Sequence, residues 1–397
     1  MTPPVFSPTP PPWSRRLLAT AAGAALLAAA GCAGQSADLA TPGGGGGDDA
    51  SAAEHCESVD EVTVVLQWVA QSQFAGYYAA KDEGFYSEEC LDVTIKEGGV
   101  NVVPQQLLSS GNAEFAVSHV TKSMASRAEG ADIVNIAQIF QRGAYLQVSW
   151  ADSGIETLSD LEGKRVGSWG FGNDLTLRAA MHGAGLDLDE DTTVVQQPFD
   201  MSLLLNREID AAQAKTYNEY AQLLEATNPE TGELYQPSDF NVIDLQELGY
   251  FTLEDSVYAR GAWLAEGDNE DIAQRFLKAT FQGWGFCRDS FEECVDIVLD
   301  NGTTLGRGHM TWQLNEVNKL IWPSPEGVEG IGDMDPDAWE QTIETAVEGE
   351  VLPEAPGEDA YRTDLSEAAR QAAAEEGLDV VGADFDAREV EVTPGGE

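Results

Sequence analysis

The stretch from Gln67 to Tyr86 concentrates the side chains of this chain that could bind a small molecule. It combines aromatic rings, amides and glycines in the order QWVAQSQFAGYYAAKDEGFY. A strand-like run, Val62–Val65, leads into it, and its second half has the pattern of a helix. Free backbone N–H groups at the start of a helix can bind a ligand. The same aromatic residues could instead be ordinary core, because aromatic side chains usually pack inside.

The composition limits the kinds of partner that the protein can have. A length of 397 residues predicts two lobes rather than one core. A net charge of −48 argues against nucleic acid, because phosphate contacts need Lys and Arg. The four His are widely spaced, and no Cys-x-x-Cys or His-Glu-x-x-His motif occurs. We therefore predict neither a metal nor another cofactor.

The N-terminal residues have the features of an export signal. Arg15 and Arg16 precede an apolar, alanine-rich run that ends just before Cys32. This order is typical of a bacterial lipoprotein signal, exported by the general or the twin-arginine route. We expect residues 1–31 to be removed, Cys32 to carry lipid and residues 32–58 to be a flexible tether. The protein would then lie at the outer face of the bacterial cytoplasmic membrane, held there only by its anchor. The alternative is a buried helix with a free cysteine.

Four further cysteines follow Cys32 and suggest disulfides in an exported chain. Three pairings are open, besides four free buried thiols. We favour Cys56–Cys90 and Cys287–Cys294. The second pair would join the end of one helix to the start of the next, since one straight helix would hold these residues about 10 Å apart.

Strand and helix patterns alternate along most of the remaining chain. Residues 62–140 predict the order β-α-β-α-β-α-β, and a second α/β series follows at 165–244. This alternation is typical of mainly parallel sheets covered by helices on both faces. Residues 269–349 have a helical pattern. We expect the acidic tail, residues 351–397, to be poorly ordered apart from one helix at Leu365–Glu376.

These patterns predict an α/β protein of two lobes. Residues 59–149 and 259–350 would form lobe 1, and residues 150–258 would form lobe 2, inserted between them. Clefts between domains are common ligand sites, so we expect a ligand between the lobes.

Two motifs resemble those of a known family. Residues 67–86, followed by Leu91-Asp-Val-x-Ile and Gly98-Gly99, are one, and Leu158-x-Asp-Leu-x-Gly-Lys-x-Val-Gly is the other. They resemble substrate-binding proteins of ABC importers in the thiamine-pyrimidine-precursor, sulfonate and nitrate group. The resemblance covers about residues 60–350. It implies a two-lobed Venus-flytrap fold of periplasmic-binding-protein type II, with helices at the C-terminal end completing lobe 1. It also implies a monomer that closes on a ligand and is recognised by a membrane permease.

The resemblance suggests which side chains hold the ligand. Trp68 and Tyr77 could stack on a flat heterocycle, and Gln71 could bind its ring nitrogens. An acidic residue near the return to lobe 1 could pair with an aminopyrimidine, and we choose Glu254 over Asp255. The full set of candidates is Trp68, Gln71, Gln73, Phe74, Tyr77, Gly99, Ser118, His119, Gln138, Gly170, Phe171, Gly172, Asn173, Tyr217 and Glu254.

Several candidates have an ordinary structural explanation. His119 could be a surface or core histidine, Asn173 a helix N-cap, and Glu254 a solvated acid. Within the opening stretch, we assign Tyr78, Phe85 and Tyr86 to packing.

Three function classes remain after these considerations. The leading hypothesis is a lipid-anchored receptor for a flat heteroaromatic, such as a thiamine pyrimidine precursor or a riboflavin-like compound. A receptor for alkyl sulfonate or nitrate ranks lower, because Arg142 is the one Arg or Lys in the expected cleft loops. Enzymes in the same superfamily, the pyrimidine synthases, carry iron and a cysteine-rich motif. Here the cysteines are scattered and no nucleophile–base set is apparent, so we predict no enzymatic activity. A surface adhesin is the third class.

Overall fold

A computed structural model describes residues 56–99, 102–170, 173–198, 200–302, 304 and 306–397. They belong to one compact unit, Asp48–Glu397. The expected signal, Cys32 and most of the tether lie outside the described residues, as do Phe171 and Gly172.

Within the residues that the structure describes, ten strands form two sheets of five strands each. They are β1 Asp60–Val65, β2 Leu91–Lys96, β3 Phe115–Ser118, β4 Val134–Gln138, β5 Tyr145–Trp150, β6 Arg165–Ser168, β7 Thr193–Gln196, β8 Ala211–Lys215, β9 Phe240–Asp244 and β10 Ser256–Ala259. The strand order is β2-β1-β3-β10-β4 in one sheet and β7-β6-β8-β5-β9 in the other. We call the first sheet with its helices lobe 1, and the second lobe 2.

Both sheets are parallel on one side and antiparallel on the other. In lobe 1, β1 pairs in parallel with β2 and β3, whereas β10 runs antiparallel to β3 and β4. In lobe 2, β6 pairs in parallel with β7 and β8, and β5 runs antiparallel to β8 and β9. Two β-α units that meet in this way bring the polar ends of several strands to one edge of each sheet.

Helices cover the faces of the two sheets. They are α1 Ala75–Asp82, α2 Phe85–Glu88, α3 Pro104–Ser109, α4 Val120–Ala128, α5 Leu175–Gly183, α6 Ser202–Leu205, α7 Glu219–Glu225, α8 Gly261–Leu264, α9 Asn269–Asp289, α10 Phe291–Asp300, α11 Arg307–Ile321, α12 Pro336–Glu348 and α13 Asp364–Glu375. Each sheet separates two apolar clusters, one on each face. Among the described residues, no helix combines the length and apolarity that a membrane span requires.

The chain crosses between the lobes twice. β5 pairs in lobe 2 and β10 in lobe 1, so the crossings lie between Gln138 and Tyr145 and between Asp244 and Ser256. These segments lie close to the lobe limits expected from the sequence, although β5 enters lobe 2 slightly earlier. The lobe limits themselves stay a prediction.

The contact between helices α1 and α9 in lobe 1 requires a glycine on each helix. A Cβ on Gly76 of α1 would lie 2.3 Å from the ring of Trp284, and one on Gly283 of α9 would lie 2.0 Å from the Gly76 carbonyl oxygen. Neither distance is tolerable, so a side chain at either position would push α1 and α9 apart. This contact fixes α1, and therefore the loop that enters it.

Both disulfides favoured from the sequence are present. Cys56 bonds to Cys90 at the start of lobe 1, and Cys287 of α9 bonds to Cys294 of α10. The second bond joins two successive helices.

The helix expected in the acidic tail is present as α13, which spans Asp364–Glu375. The expectation that the rest of the tail is poorly ordered is wrong. Leu365 and Ala369 of α13 are buried in the lobe 1 core, and Ala373 on the same face is also buried. Further along, Leu378, Val380 and Phe385 pack on the same core. The small apolar face of α13 repeats every four residues, which is enough to dock the helix despite the acidic composition around it.

Candidate functional site

A cavity lies between the two lobes. Among the described residues, lobe 1 and lobe 2 both contribute to its wall. The lining residues are Gln67, Trp68, Gln71, Gln73, His119, Tyr145, Trp169, Asn173, Lys215, Tyr217, Asn218 and Glu219.

The lobe 1 wall is mainly the loop after β1. The backbone of Gly98 donates to the Trp68 carbonyl at 2.8 Å, and Gly99 donates to the Gln67 carbonyl at 3.3 Å. A short 3-10 helix, Ser72–Phe74, follows, and the Ser72 hydroxyl donates to the Met310 carbonyl at 2.8 Å. The loop is thus held from both sides, which fixes the direction of its amide and indole side chains.

The buried carboxyl of Asp255 organises the polar groups on the lobe 1 side. It accepts hydrogen bonds from Gln67 Nε2 and, at 2.8 Å, from Gln73 Nε2. His119 Nε2 lies 3.2 Å from Asp255 Oδ1. Burial raises the pKa of Asp255 to about 7, whereas burial and the nearby Lys215 lower the pKa of His119 to about 3. His119 is therefore neutral at physiological pH.

A second buried pair joins lobe 2 to the crossing segment. Lys215 Nζ, at the end of β8, lies 2.5 Å from Glu254 Oε2. Glu254 Oε1 also accepts from the Ala144 backbone at 2.6 Å. The Lys215 ammonium sits over the Tyr145 ring, 3.0 Å from its centre. Burial lowers the pKa of Lys215, and Glu254 opposes that shift.

The lobe 2 wall is assembled from several strand ends. The Tyr145 hydroxyl donates to the Asn173 carbonyl at 3.1 Å and lies 3.2 Å from His119 Nδ1. Asn173 Oδ1 accepts from Lys122 Nζ at 3.2 Å, which links the lobes. Burial lowers the pKa of Lys122 to about 8. Trp169 is held by its backbone N–H, which donates to Gln213 Oε1 at 3.0 Å.

Three lining residues carry a buried polar atom that lacks a hydrogen-bond partner among the described residues. They are Gln67 Oε1, an acceptor on lobe 1, Trp169 Nε1, a donor on lobe 2, and His119 Nε2, which has only the Asp255 carboxyl nearby. The residues are 5%, 4% and 6% exposed. Unpaired polar atoms are costly when buried, so a ligand with a donor and an acceptor would stabilise this arrangement.

The structure brings six candidates from the sequence to the cavity wall. They are Trp68, Gln71, Gln73, His119, Asn173 and Tyr217. Gln71 Nε2 donates to Gln73 Oε1 at 2.7 Å, so the two amides form a pair rather than two independent ligand contacts.

Other candidates lie behind the wall. Phe74 and Tyr77 are buried in the lobe 1 core, and Tyr77 packs edge-on against Trp284 with ring centres 6.2 Å apart. Ser118 accepts from Gln105 at 2.5 Å, and Gln138 accepts from the Ser256 hydroxyl at 2.6 Å.

Gly99, Gly170 and Glu254 act on the wall indirectly. Gly99 holds the backbone of the lobe 1 loop. The Gly170 carbonyl accepts from the Asn173 backbone at 2.9 Å. Glu254 forms a buried ion pair with Lys215, which lines the cavity. Arg142, the cation expected near the cleft, donates instead to the Lys319 and Pro323 carbonyls.

The candidate set omitted the lining residues Gln67, Tyr145, Trp169, Lys215, Asn218 and Glu219. Of these, Gln67, Trp169 and Asn218 directly adjoin predicted residues. One signal was available for some of them. Lys215 ends a buried strand of small residues, and Asn218 and Glu219 open the helix that follows. Polar residues at such strand–helix junctions commonly face a cleft.

A match to a family model identifies the family of this sequence. The model described as NMT1/THI5 like matches residues 71–293, more than half of the chain. The chain belongs to the NMT1/THI5-like family.

Curated relatives of this NMT1/THI5-like chain include two binding proteins. It is 23% identical over 296 residues to the formylaminopyrimidine-binding protein of Halalkalibacterium halodurans, covering 74% of this chain and 86% of that one. It is 22% identical over 295 residues to the riboflavin-binding protein RibY of Chloroflexus aurantiacus, covering 72% and 80%. Other relatives are named 4-amino-5-hydroxymethyl-2-methylpyrimidine phosphate synthases, as in Aspergillus parasiticus, 23% identical over 63% of this chain and 74% of that one.

Solved structures share the fold. The periplasmic aliphatic sulphonate binding protein SsuA of Escherichia coli superposes with a TM-score of 0.54 at 16% identity, covering 78% of this chain and 97% of that one. The NMT1/THI5-like chain therefore has the two-lobed periplasmic-binding-protein fold expected from the sequence.

Proposed function

We propose that the protein is an extracytoplasmic solute-binding receptor of an ABC importer, and that its ligand is a flat, neutral heteroaromatic bound between the lobes. The observation that carries this proposal is the cavity wall. Trp68 on lobe 1 and Tyr145, Trp169 and Tyr217 on lobe 2 supply aromatic surface. Gln67 Oε1 and Trp169 Nε1 supply an unpaired acceptor and donor. A planar ring with both polar functions complements such a wall.

Two sizes of planar ligand are candidates for this wall. The first is a single pyrimidine ring with short substituents, and the second is a three-ring flavin. The formylaminopyrimidine-binding relative supports the first class and the riboflavin-binding relative the second.

The charges near the cavity disfavour an anion. Lys215 is paired with Glu254, and Lys122 is bonded to Asn173. Glu219 brings a carboxyl group into the wall itself, and burial raises its pKa. A sulfonate or nitrate would meet this carboxyl without a free cation to balance its charge.

The remaining parts of the proposal concern location and partners. The N-terminal export pattern supports lipid attachment at Cys32, outside the cytoplasmic membrane. The two disulfides fit an oxidising compartment. We propose that the protein acts as a monomer and delivers its ligand to a membrane permease.

A synthase is the alternative function, because several relatives carry that name. Four of the five cysteines are in disulfides and cannot supply thiolate ligands. Within the described residues, no group of three or more His, Cys, Asp and Glu side chains is placed to hold a metal ion. Binding without turnover is therefore the function that we propose.

Thermal unfolding with a panel of compounds tests the ligand class. The panel contains a formylaminopyrimidine, riboflavin, an alkyl sulfonate and nitrate. A ligand that binds only the folded protein raises its melting temperature. We expect the formylaminopyrimidine to give the largest rise of the four compounds. Stabilisation by the sulfonate or nitrate alone would refute the heteroaromatic proposal. Conversion of the pyrimidine into a new product would favour the synthase.

A further inference from the structure

His309 on α11 of lobe 1 makes a buried connection to α7 of lobe 2. Its Nδ1 lies 2.9 Å from both carboxylate oxygens of Glu225, and its Nε2 lies 2.9 Å from Asn218 Oδ1. The exposed fractions are 1% for His309, 6% for Glu225 and 4% for Asn218. Of these, Asn218 lines the cavity. These hydrogen bonds therefore link the buried interface between the lobes to the candidate ligand site.

A backbone amide fixes the orientation of the side-chain amides in this connection. The Gln73 backbone N–H donates to Gln313 Oε1 at 3.1 Å, so Gln313 Nε2 must face Asn218, at 3.2 Å. The Asn218 atom that receives this donor is Oδ1. The opposite side of the amide, Nδ2, donates to Glu219 Oε1 at 2.7 Å. If the Asn218 amide were flipped, its Nδ2 donor would face the Gln313 Nε2 donor, and its Oδ1 acceptor would face the Glu219 Oε1 acceptor. Neither pair can form a hydrogen bond.

The same reasoning assigns the hydrogens of the His309 ring. Nε2 faces Asn218 Oδ1, an acceptor, and Nδ1 faces the Glu225 carboxylate, also an acceptor. Nε2 therefore donates to Asn218 Oδ1, while Nδ1 is held by the Glu225 carboxyl group. Gly396 packs against the pair, since a Cβ there would lie 2.7 Å from His309 Cβ and 3.0 Å from Glu225 Oε2.

We infer that His309 is a positioning residue for the ligand, an inference that rests on the receptor function proposed above. His309 and Gln313 are one turn apart on α11 and both bond to Asn218 Oδ1. They reach Asn218 only when the lobes are together. Closure thereby aims Asn218 Nδ2 and Glu219 at the cavity, while Glu225 holds the His309 ring in place. Asn218 is the ligand-facing group, and His309 acts through it.

Loss of this connection should act on ligand release. The encounter of ligand with an open cleft does not need His309, so the association rate should change little. The closed complex does need it, so the dissociation rate should rise. A residue that merely stabilised the fold would not separate the two rates.

Stopped-flow tryptophan fluorescence with a formylaminopyrimidine as the probe measures both rates. The variant is His309→Gln, which keeps one donor but cannot bond both acceptors. Glu225→Gln is the second variant, in case His309→Gln does not fold. The matched control is His182→Gln, on an exposed position of α5. We expect about 10-fold faster dissociation for His309→Gln, with the association rate within about threefold and the control unchanged.

A double-variant cycle tests whether Glu225 acts through His309. Glu225→Gln should accelerate dissociation in the wild-type background and add little in the His309→Gln background. Equal effects in both backgrounds would overturn the inference, as would an unchanged dissociation rate in His309→Gln. If the wild-type protein binds neither the pyrimidine nor riboflavin, the proposed function fails and the inference fails with it. Binding by the wild type with unaffected variants overturns the inference alone.

Discussion

The two walls of the cavity are built in different ways. Lobe 1 supplies most of its wall from one stretch, Gln67–Gln73, held between Gly98 and α11. Lobe 2 supplies Tyr145, Trp169, Lys215 and the start of α7 from separate strand ends. A contiguous loop can be substituted without moving distant elements. A wall gathered from several strands depends on the folding of the whole lobe, so substitutions in it should affect stability and binding together.

The largest expected effect tests the dependence of the lobe 2 wall on its fold. Lys215→Met would leave Glu254 buried without its partner. We expect the free energy of unfolding to fall by about 3–5 kcal/mol in urea titrations. Adding Glu254→Gln should recover much of that loss. Lys164→Met, at a half-buried position of the same lobe, is the control and should change little. A loss of less than 1 kcal/mol would mean that the pair contributes no more than a surface ion pair.

Trp68→Ala tests the independence of the lobe 1 wall. Trp68 is half-buried and lines the cavity, so its loss should weaken pyrimidine binding by about 2–3 kcal/mol. The free energy of unfolding should change by less than half of that amount. Trp263, half-buried in lobe 1, packs on Phe115 with ring centres 5.4 Å apart. Trp263→Ala should show the reverse, with lower stability and unchanged affinity by calorimetry. Unchanged affinity in Trp68→Ala would remove it from the site.

The pH dependence of stability tests the buried carboxyl on the lobe 1 side. Burial raises the pKa of Asp255 from 3.8 to about 7, so the folded protein favours the protonated form. The stabilisation is complete below about pH 4 and is lost as the pH rises through about 7. Relative to Asp255→Asn, the wild type should lose about 3 kcal/mol between these values. His119 Nε2 lies 3.2 Å from Asp255, so both proteins are compared in a His119→Gln background. Parallel curves would contradict the assignment.

Trp169→Phe should give the smallest effect. It keeps an aromatic ring in the lobe 2 wall and removes the unpaired Nε1–H. We expect affinity to fall by about 1 kcal/mol, the value of one hydrogen bond. Trp150→Phe is the matched control in the same lobe, because its Nε1 donates to the Leu204 carbonyl at 2.8 Å, away from the cavity. If both variants bind alike, the Trp169 N–H makes no contact with the ligand.

The contrast between the walls also explains how much the sequence revealed. The lobe 1 loop is contiguous, so Trp68, Gln71 and Gln73 could be predicted from one motif. Phe74 and Tyr77 share that motif but face the core, because the close contact of Gly76 with Trp284 sets the rotation of α1. That contact joins residues far apart in the chain, and no local pattern reveals it.

The buried ion pair and the acidic tail also depend on contacts that local sequence patterns do not reveal. Lys215 and Glu254 meet only because β8 ends beside the second crossing segment. The alternating pattern predicted the two α/β lobes, since it depends on local periodicity alone. Composition misled the expectation for the rest of the tail, because Leu378, Val380 and Phe385 pack on the lobe 1 core despite the surrounding acids.

The small molecule retained through purification tests the central claim most directly. Mass spectrometry after denaturation would identify it in the wild type and in Trp68→Ala. The proposal predicts a planar heteroaromatic in the wild type that is depleted in the variant. A sulfonate retained by the wild type, at equal occupancy in Trp68→Ala, would contradict it.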